Sequence, residues 1–153
     1  MKNIFYALVT VLLLSSCNKA KLDIDTIDFK AGACFITCPV FDMKIANNGK
    51  ATYRAIMFNK IQGDFNATIE KSKIDSLNML ITDADVFSLN DEYFTPMTDQ
   101  PTYSLTIRLK NKQIKTIKDY GPSGPENLKK VYHFLFYLSR SQHWTPIPSN
   151  KNF

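Results

Sequence analysis

Apolar and polar residues alternate along several short stretches of the chain. Phe41, Met43 and Ile45 alternate with Asp42 and Lys44, and a period of two residues is typical of a β-strand with one buried face. The same pattern predicts further strands at residues 51–58, 63–69, 103–109 and 113–118, and residues 22–29 fit a first strand.

Two other stretches follow the helical period. The apolar residues that share one helical face are Ile74, Leu77, Leu80, Ile81 and Ala84 in the first stretch, and Leu128, Val131, Tyr132, Leu135 and Leu138 in the second. Pro125 suits the first turn of the second helix, and residues 47–50, with Gly49, predict a hairpin turn. Residues 91–101 and 119–124 are expected to be irregular loops.

The predicted order is roughly β-β-β-β-α-β-β-α. It indicates an α+β domain in which two helices cover a mostly antiparallel sheet.

The N-terminus has the pattern of a signal peptide. Lys2 is followed by an apolar run of eleven residues, 4–14, which is too short for a membrane span of about 20 residues. The segment Leu14-Ser15-Ser16-Cys17 then resembles the bacterial lipobox, in which the cysteine is lipidated and the chain is cleaved before it. The sequence therefore predicts a lipoprotein signal peptide at 1–16, acylation with fatty acids such as palmitate at Cys17, and a lipidated tether at 17–21.

This anchor predicts a location in the bacterial cell envelope. Asn18-Lys19 lacks the second-position Asp that resembles an inner-membrane retention signal, so the outer membrane is favoured. Residues 22–153 fit a single domain. Without Lys2 the chain has 18 basic and 14 acidic residues, a net charge of +4. We interpret this excess of positive charge as a contribution to solubility or as a source of attraction to anionic membrane surfaces. Because an exported protein rarely meets nucleic acid, we expect no nucleic-acid partner.

Cys34 and Cys38 stand four residues apart, directly before Pro39. An extended chain would hold their Cα atoms about 13 Å apart, whereas a disulfide needs them within about 7 Å, so a bonded pair requires a turn. The oxidising space outside the cytoplasm favours the bond, and Cys17 is consumed by lipid. We expect a structural disulfide that fixes the turn before the next strand.

Three segments carry a resemblance to a known family. CFITCPVFDMKIANNGKATY, TDQPTYSLTI and KDYGPSGPENL look like the domain of unknown function 6438, whose members are largely exported or lipid-anchored bacterial proteins. The residues that match its pattern, called the motif residues below, are Cys34, Phe35, Cys38, Pro39, Gly49, Asp99, Pro101, Asp119 and Tyr120. Ile36 and Phe41 depart from the usual Gly and Tyr. The resemblance spans nearly all of the mature chain and implies one domain, but no activity.

The cysteine segment also resembles the copper-binding segment of the Sco assembly proteins. Soft thiolates select Cu(I), and such a site would combine Cys34 and Cys38 with a distant histidine. The chain offers His133 and His143, of which His133 is the candidate. Against this, the predicted element order differs from the thioredoxin-like fold of those proteins. The familiar dithiol redox motif also has two intervening residues rather than three. Copper binding or disulfide redox chemistry is therefore the alternative function.

No signature of a catalytic site is present in the sequence. It lacks the Gly-x-Ser-x-Gly motif of hydrolases and the spacing of an EF-hand. The rigid loop at Tyr120, Gly121 and Pro122 is a candidate for binding a partner. The favoured function is a non-catalytic binding or interaction domain, rather than an enzyme, with no cofactor or metal. Its partners would be the membrane, reached through Cys17, and an envelope protein or small ligand.

The anchor prediction can be tested by Cys17→Ala. This variant should lose its lipid and accumulate as an uncleaved or non-lipidated form, because the other two cysteines lie outside the lipobox. Metabolic labelling with a fatty-acid analogue measures the lipid, and Cys34→Ala serves as the control that keeps it. Label that persists on the Cys17 variant would contradict the prediction.

Overall fold

The computed structural model describes residues 22–148. The predicted signal peptide, the tether and its lipidation site Cys17 lie outside the described residues. Among residues 22–148, no helix combines the length and apolar character that crossing a membrane requires.

The described chain forms eight strands and two α-helices. The strands are β1 (Ile24–Ala31), β2 (Val40–Ala46), β3 (Lys50–Met57), β4 (Gly63–Thr68), β5 (Glu92–Phe94), β6 (Thr102–Leu109), β7 (Ile114–Tyr120) and β8 (Thr145–Pro146). The helices are α1 (Lys71–Asp83) and α2 (Glu126–Ser141), and a short 3-10 helix covers Val86–Ser88. Strands and helices occur together and pack around one core, which confirms the predicted α+β class.

All eight strands belong to one sheet in the order β5-β7-β6-β1-β2-β3-β4-β8. Neighbours are antiparallel except β5 and β7, which are parallel, so the sheet is mixed. Strands β5 and β8 were not predicted, and β5 lies inside the predicted loop at 91–101. Both are too short to show a sequence period. They form because edge strands offer free backbone groups: the Lys118 N–H donates to the Asp91 carbonyl at 2.8 Å, and the Ile147 N–H to the Asp64 carbonyl at 2.8 Å.

The hairpin between β2 and β3 depends on one glycine. Gly49 has φ of +84°, and a Cβ atom there would stand 2.4 Å from the Ile69 carbonyl oxygen. The Ile69 N–H in turn donates to the Gly49 carbonyl at 2.8 Å. Gly49 therefore both reverses the chain and allows the close approach of the segment that leads into α1.

The core lies between one face of the sheet and the two helices. Phe29 on the central strand β1 packs against four rings, from Phe41, Tyr103, Tyr132 and Phe136, at centroid distances of 5.6–5.8 Å. The predicted apolar face of α2 is buried, as are Ile74, Leu77 and Ile81 of α1. Both helices thus bury their stripes in the same core.

The opposite face of the sheet is polar. Lys30, Asp42, Arg54 and Asp64 stand in register on strands β1 to β4, and the Arg54 Nε lies 3.8 Å from an Asp64 carboxylate oxygen. Opposite charges on neighbouring strands are the cross-strand pairs that a solvated sheet face favours. The period of two seen in the sequence therefore separates this face from the core.

Phe41→Ala should destabilise the domain by about 3–5 kcal/mol, because removal of a fully buried aromatic ring leaves a cavity in the core. Phe41 is 0% exposed, whereas Met79 on the outer face of α1 is 59% exposed. Met79→Ala is therefore the control, with an expected change within about 0.5 kcal/mol. Urea unfolding measures both variants, and equal effects would contradict the assignment of the core.

Candidate functional site

Three loops that are distant in sequence meet at one end of the sheet. They are 32–39 between β1 and β2, 95–101 between β5 and β6, and 121–125 between β7 and α2. Strands β1, β5 and β7 finish at this end and β2 and β6 begin there, as their registers require. All motif residues except Gly49 lie in these loops or at the strand ends beside them. We call this region the motif end.

Backbone hydrogen bonds join the first two loops. The Gly32 N–H donates to the Thr102 carbonyl at 2.8 Å, and the Phe35 N–H donates to the Asp99 carbonyl at 3.2 Å. Asp99 has φ of +65°, a left-handed conformation that Asp tolerates better than most residues. The motif residue Asp99 thus sets the conformation of its loop, and its own carbonyl accepts the hydrogen bond from Phe35.

The predicted loop at Tyr120, Gly121 and Pro122 contacts the same segment. The Tyr120 hydroxyl accepts a hydrogen bond from the Gln100 N–H at 3.2 Å, and the Gly121 N–H donates to the Pro101 carbonyl at 2.9 Å. Gly121 has φ of +69°, so a side chain would be strained there. Tyr120 and Gly121 therefore fasten two loops to each other, a role that the sequence did not indicate.

The predicted disulfide between Cys34 and Cys38 is present. Their Cα atoms lie 5.6 Å apart, compared with about 13 Å in an extended chain. The bond closes a tight turn whose side chains Phe35 and Ile36 are 79% and 73% exposed. Ile36 is not among the residues with positive φ, so this position does not require the glycine that is usual in the family.

Asp119 is a fully buried carboxylate that holds the third loop. One oxygen accepts hydrogen bonds from the Ser123 N–H at 2.7 Å and the Ser123 hydroxyl at 3.2 Å. The other oxygen accepts from the Gly124 N–H at 3.1 Å. Asp119 is 0% exposed, and such multiple donors are what a buried charge needs to be tolerated. This motif residue therefore fixes the chain that leads into α2.

Two tyrosines near Asp119 are held neutral. Burial raises the pKa of Tyr132, and the negative charge of Asp119 raises it further. The same two causes raise the pKa of Tyr103. The Tyr132 hydroxyl is buried and makes no hydrogen bond of ordinary geometry within the described residues. Deprotonation of either phenol would place a second negative charge beside Asp119, so both tyrosines stay protonated at neutral pH.

The motif end presents apolar side chains to solvent. Besides Phe35 and Ile36, the exposed residues are Phe94 at 73% and Met97 at 64%. Phe94 is stacked on Tyr120 with a centroid distance of 5.3 Å. Beside the disulfide lies a cleft of about 600 Å³ between loop 34–39 and residues 99–101. The arrangement can offer a rigid apolar surface to a binding partner.

The candidate metal ligands are placed as follows. Cys34 and Cys38 are bonded to each other, and His133 is exposed on α2. The residues that line the cleft beside the disulfide include no histidine. Within residues 22–148 the structure brings together no group of three or more His, Cys, Asp or Glu side chains that could hold a metal ion.

The fold and the motif end define the class of this protein. It is an α+β domain with a mixed sheet, one helical layer and a disulfide-closed loop. The chain belongs to the family described as Domain of unknown function (DUF6438), which matches residues 25–139 and so includes every motif residue. No curated protein matched the sequence.

The disulfide is expected to stabilise this loop without being essential to the fold. Replacing both Cys34 and Cys38 with Ser should lower the free energy of unfolding by about 1–3 kcal/mol, because a ring of this size excludes few unfolded conformations. Urea unfolding of oxidised wild type, reduced wild type and the double variant measures the effect. Reduced wild type and the double variant should agree, and no loss in either would contradict a stabilising role.

Asp119→Ala should destabilise the domain by about 3 kcal/mol, because the N–H groups of Ser123 and Gly124 lose a charged acceptor. Asp23→Ala is the control: its side chain is 70% exposed and pairs with Lys110, and such surface pairs contribute little. Thermal and urea unfolding measure the change. A smaller effect for the Asp119 variant than for the control would contradict the assigned role.

Proposed function

We propose that this chain is a lipid-anchored protein of the bacterial envelope whose domain binds another envelope component without catalysis, and that the motif end is the binding surface. The observation that carries the proposal is the exposure of Phe35, Ile36 and Met97 on loops that are fastened to one another, and of Phe94 at the strand end beside them. Clustered exposed apolar side chains mark interaction sites more often than scattered ones do.

The rigidity of the motif end supports this proposal. A flexible loop loses conformational entropy when it binds, whereas a pre-organised loop has already lost it during folding. Here the disulfide closes one loop, Asp119 holds another, and Tyr120 ties the third to its neighbours. These contacts fix exposed side chains that contribute little to the core, which is the arrangement expected of a recognition surface.

The direction of β1 also supports it. Leu22 lies two residues before Ile24, the first residue of β1, and the motif end begins where β1 ends at Ala31, seven residues after Ile24. At about 3.3 Å per residue the two ends of the strand lie about 23 Å apart. An anchor at Cys17 would therefore join the domain at the end opposite the binding surface, and the motif end would be free to meet a partner away from the attachment point.

Position-specific photo-crosslinking in intact cells tests this proposal. A photoreactive amino acid at Ile36 or Met97 should give a discrete adduct of constant mass. The same amino acid at Ile114 should not, although Ile114 is 53% exposed and lies at the other end of the sheet. The double change Phe35→Ala with Phe94→Ala should reduce the adduct formed from position 36. Equal adducts from all three positions, or none, would contradict the proposal.

A thiol titration of the folded protein separates this proposal from the alternative of copper or redox chemistry. The proposal expects no reactive thiol from Cys34 and Cys38 before reduction. Two reactive thiols in protein isolated from the envelope, with stoichiometric Cu(I) binding that the double Ser variant lacks, would favour the alternative and overturn a purely structural disulfide.

A further inference from the structure

A second concave site lies beside the motif end, between the C-terminal part of α2, strand β3 and the loop that joins β3 to β4. It is a cavity of about 420 Å³, and its walls include Tyr53, Phe136, Trp144, Asn59, Lys60 and Arg140. We call it the tryptophan cavity. Small-molecule sites in proteins usually measure about 300–1,000 Å³ and are lined mainly by apolar and aromatic groups with a few polar ones.

The aromatic wall of the cavity is fixed in place. Trp144 is stacked on Tyr53 with a centroid distance of 4.9 Å and an interplanar angle of 25°. The indole N–H donates to the Ser139 carbonyl at 2.8 Å, at the end of α2. The ring therefore cannot turn without loss of both contacts, and it offers a pre-formed surface on which a flat ligand can stack.

The polar groups beside this wall are also held. The Tyr53 hydroxyl donates to Asn59 Oδ1 at 2.8 Å, and the Asn59 amide donates to the carbonyls of Val40 at 2.7 Å and Met57 at 2.9 Å. These bonds use the donors of the Asn59 amide within the fold. Asn59 therefore shapes the cavity and has no amide hydrogen left for a ligand, whereas Lys60 and Arg140 bring charged donors to it.

Those charges are all positive. Arg140 donates through Nε to the Phe136 carbonyl at 3.0 Å, which orients its guanidinium, and among residues 22–148 its two terminal nitrogens keep their donors free. Lys60 is the second cation, His143 also lines the cavity, and no Asp or Glu does. Burial raises the pKa of Tyr53 to about 12, and the positive charge of Arg140 acts in the opposite direction. The positive charge of the guanidinium therefore acts at Tyr53, which belongs to the aromatic wall of the cavity.

We propose that the tryptophan cavity binds a small aromatic carboxylate, with its ring stacked against the aromatic wall and its carboxylate held by Arg140 and Lys60. A planar guanidinium matches a carboxylate with two parallel hydrogen bonds. An inorganic anion would leave the aromatic wall unused, and a neutral sugar would leave the two cations without a partner. This site goes beyond the proposed function of the motif end, which does not depend on it.

The test uses the full-length lipoprotein in detergent, with phenylacetate as the probe. Trp144 is the only tryptophan in the sequence, so its fluorescence reports this cavity alone. Phenylacetate should cause a saturable change. Phenylacetamide, which has the ring without the charge, and acetate, which has the charge without the ring, should each bind at least about tenfold more weakly, because each lacks one of the two contacts.

Variants locate the site. Arg140→Gln should weaken phenylacetate binding at least about tenfold, and Lys60→Gln should weaken it less, because an ammonium cannot form the paired bonds of a guanidinium. Arg108→Gln is the matched control and should leave binding unchanged, because Arg108 lies on the polar face of the sheet near Asp28. Thermal unfolding verifies that each variant is folded. If Arg140→Gln does not fold, the Lys60 variant decides.

Four results with these probes and variants, and a fifth with glucose, would overturn the proposal. They are the absence of a saturable change with phenylacetate, equal binding of phenylacetamide, equal binding of acetate or inorganic phosphate, and unchanged affinity in both the Arg140 and Lys60 variants. Saturable binding of glucose in place of phenylacetate would identify a neutral carbohydrate site instead and would also overturn it. None of these results bears on the crosslinking at the motif end.

Discussion

The packing of Phe29 against four aromatic rings is the contact on which the rest of the structure depends. Its strand, β1, is paired on both sides, with β2 and β6, and its ring contacts Tyr132 and Phe136 of α2 as well as rings from both neighbouring strands. Because α2 is held over the sheet at this point, the loop before it and the tryptophan after it have fixed positions. The motif end and the tryptophan cavity are therefore consequences of one packed aromatic cluster.

Fixing a loop requires more than packing, because a loop has few apolar groups to bury. The chain uses a different contact for each loop at the motif end: a covalent bond between Cys34 and Cys38, a buried carboxylate at Asp119 and a hydroxyl acceptor at Tyr120. The disulfide restricts the conformations of its loop, and the other two contacts accept hydrogen bonds from backbone N–H groups. The exposed apolar side chains on these loops then stand on a rigid support. This combination supports the proposal that the motif end is a recognition surface.

The two candidate sites are neighbours in space and differ in chemistry. The cleft beside the disulfide and the tryptophan cavity share Pro39 as a wall residue. The motif end is apolar and outward-facing, which suits a macromolecular partner, whereas the cavity is concave and cationic, which suits a small anion. Because β1 runs towards both sites, the lipid that we propose at Cys17 would leave both of them accessible.

The sequence by itself determined the strands and helices that are long enough for their period to repeat. It also predicted the disulfide, because Cys34 and Cys38 are the two cysteines outside the lipobox. It did not reveal β5 or β8, which are two or three residues long and exist only because a sheet edge offers them hydrogen bonds. It could not show that Asp119 is buried, nor that Arg140 stands beside Tyr53. Local patterns report which face of an element is apolar, whereas long-range packing decides which distant residues share a site, and that depends on contacts between segments that are far apart in the chain.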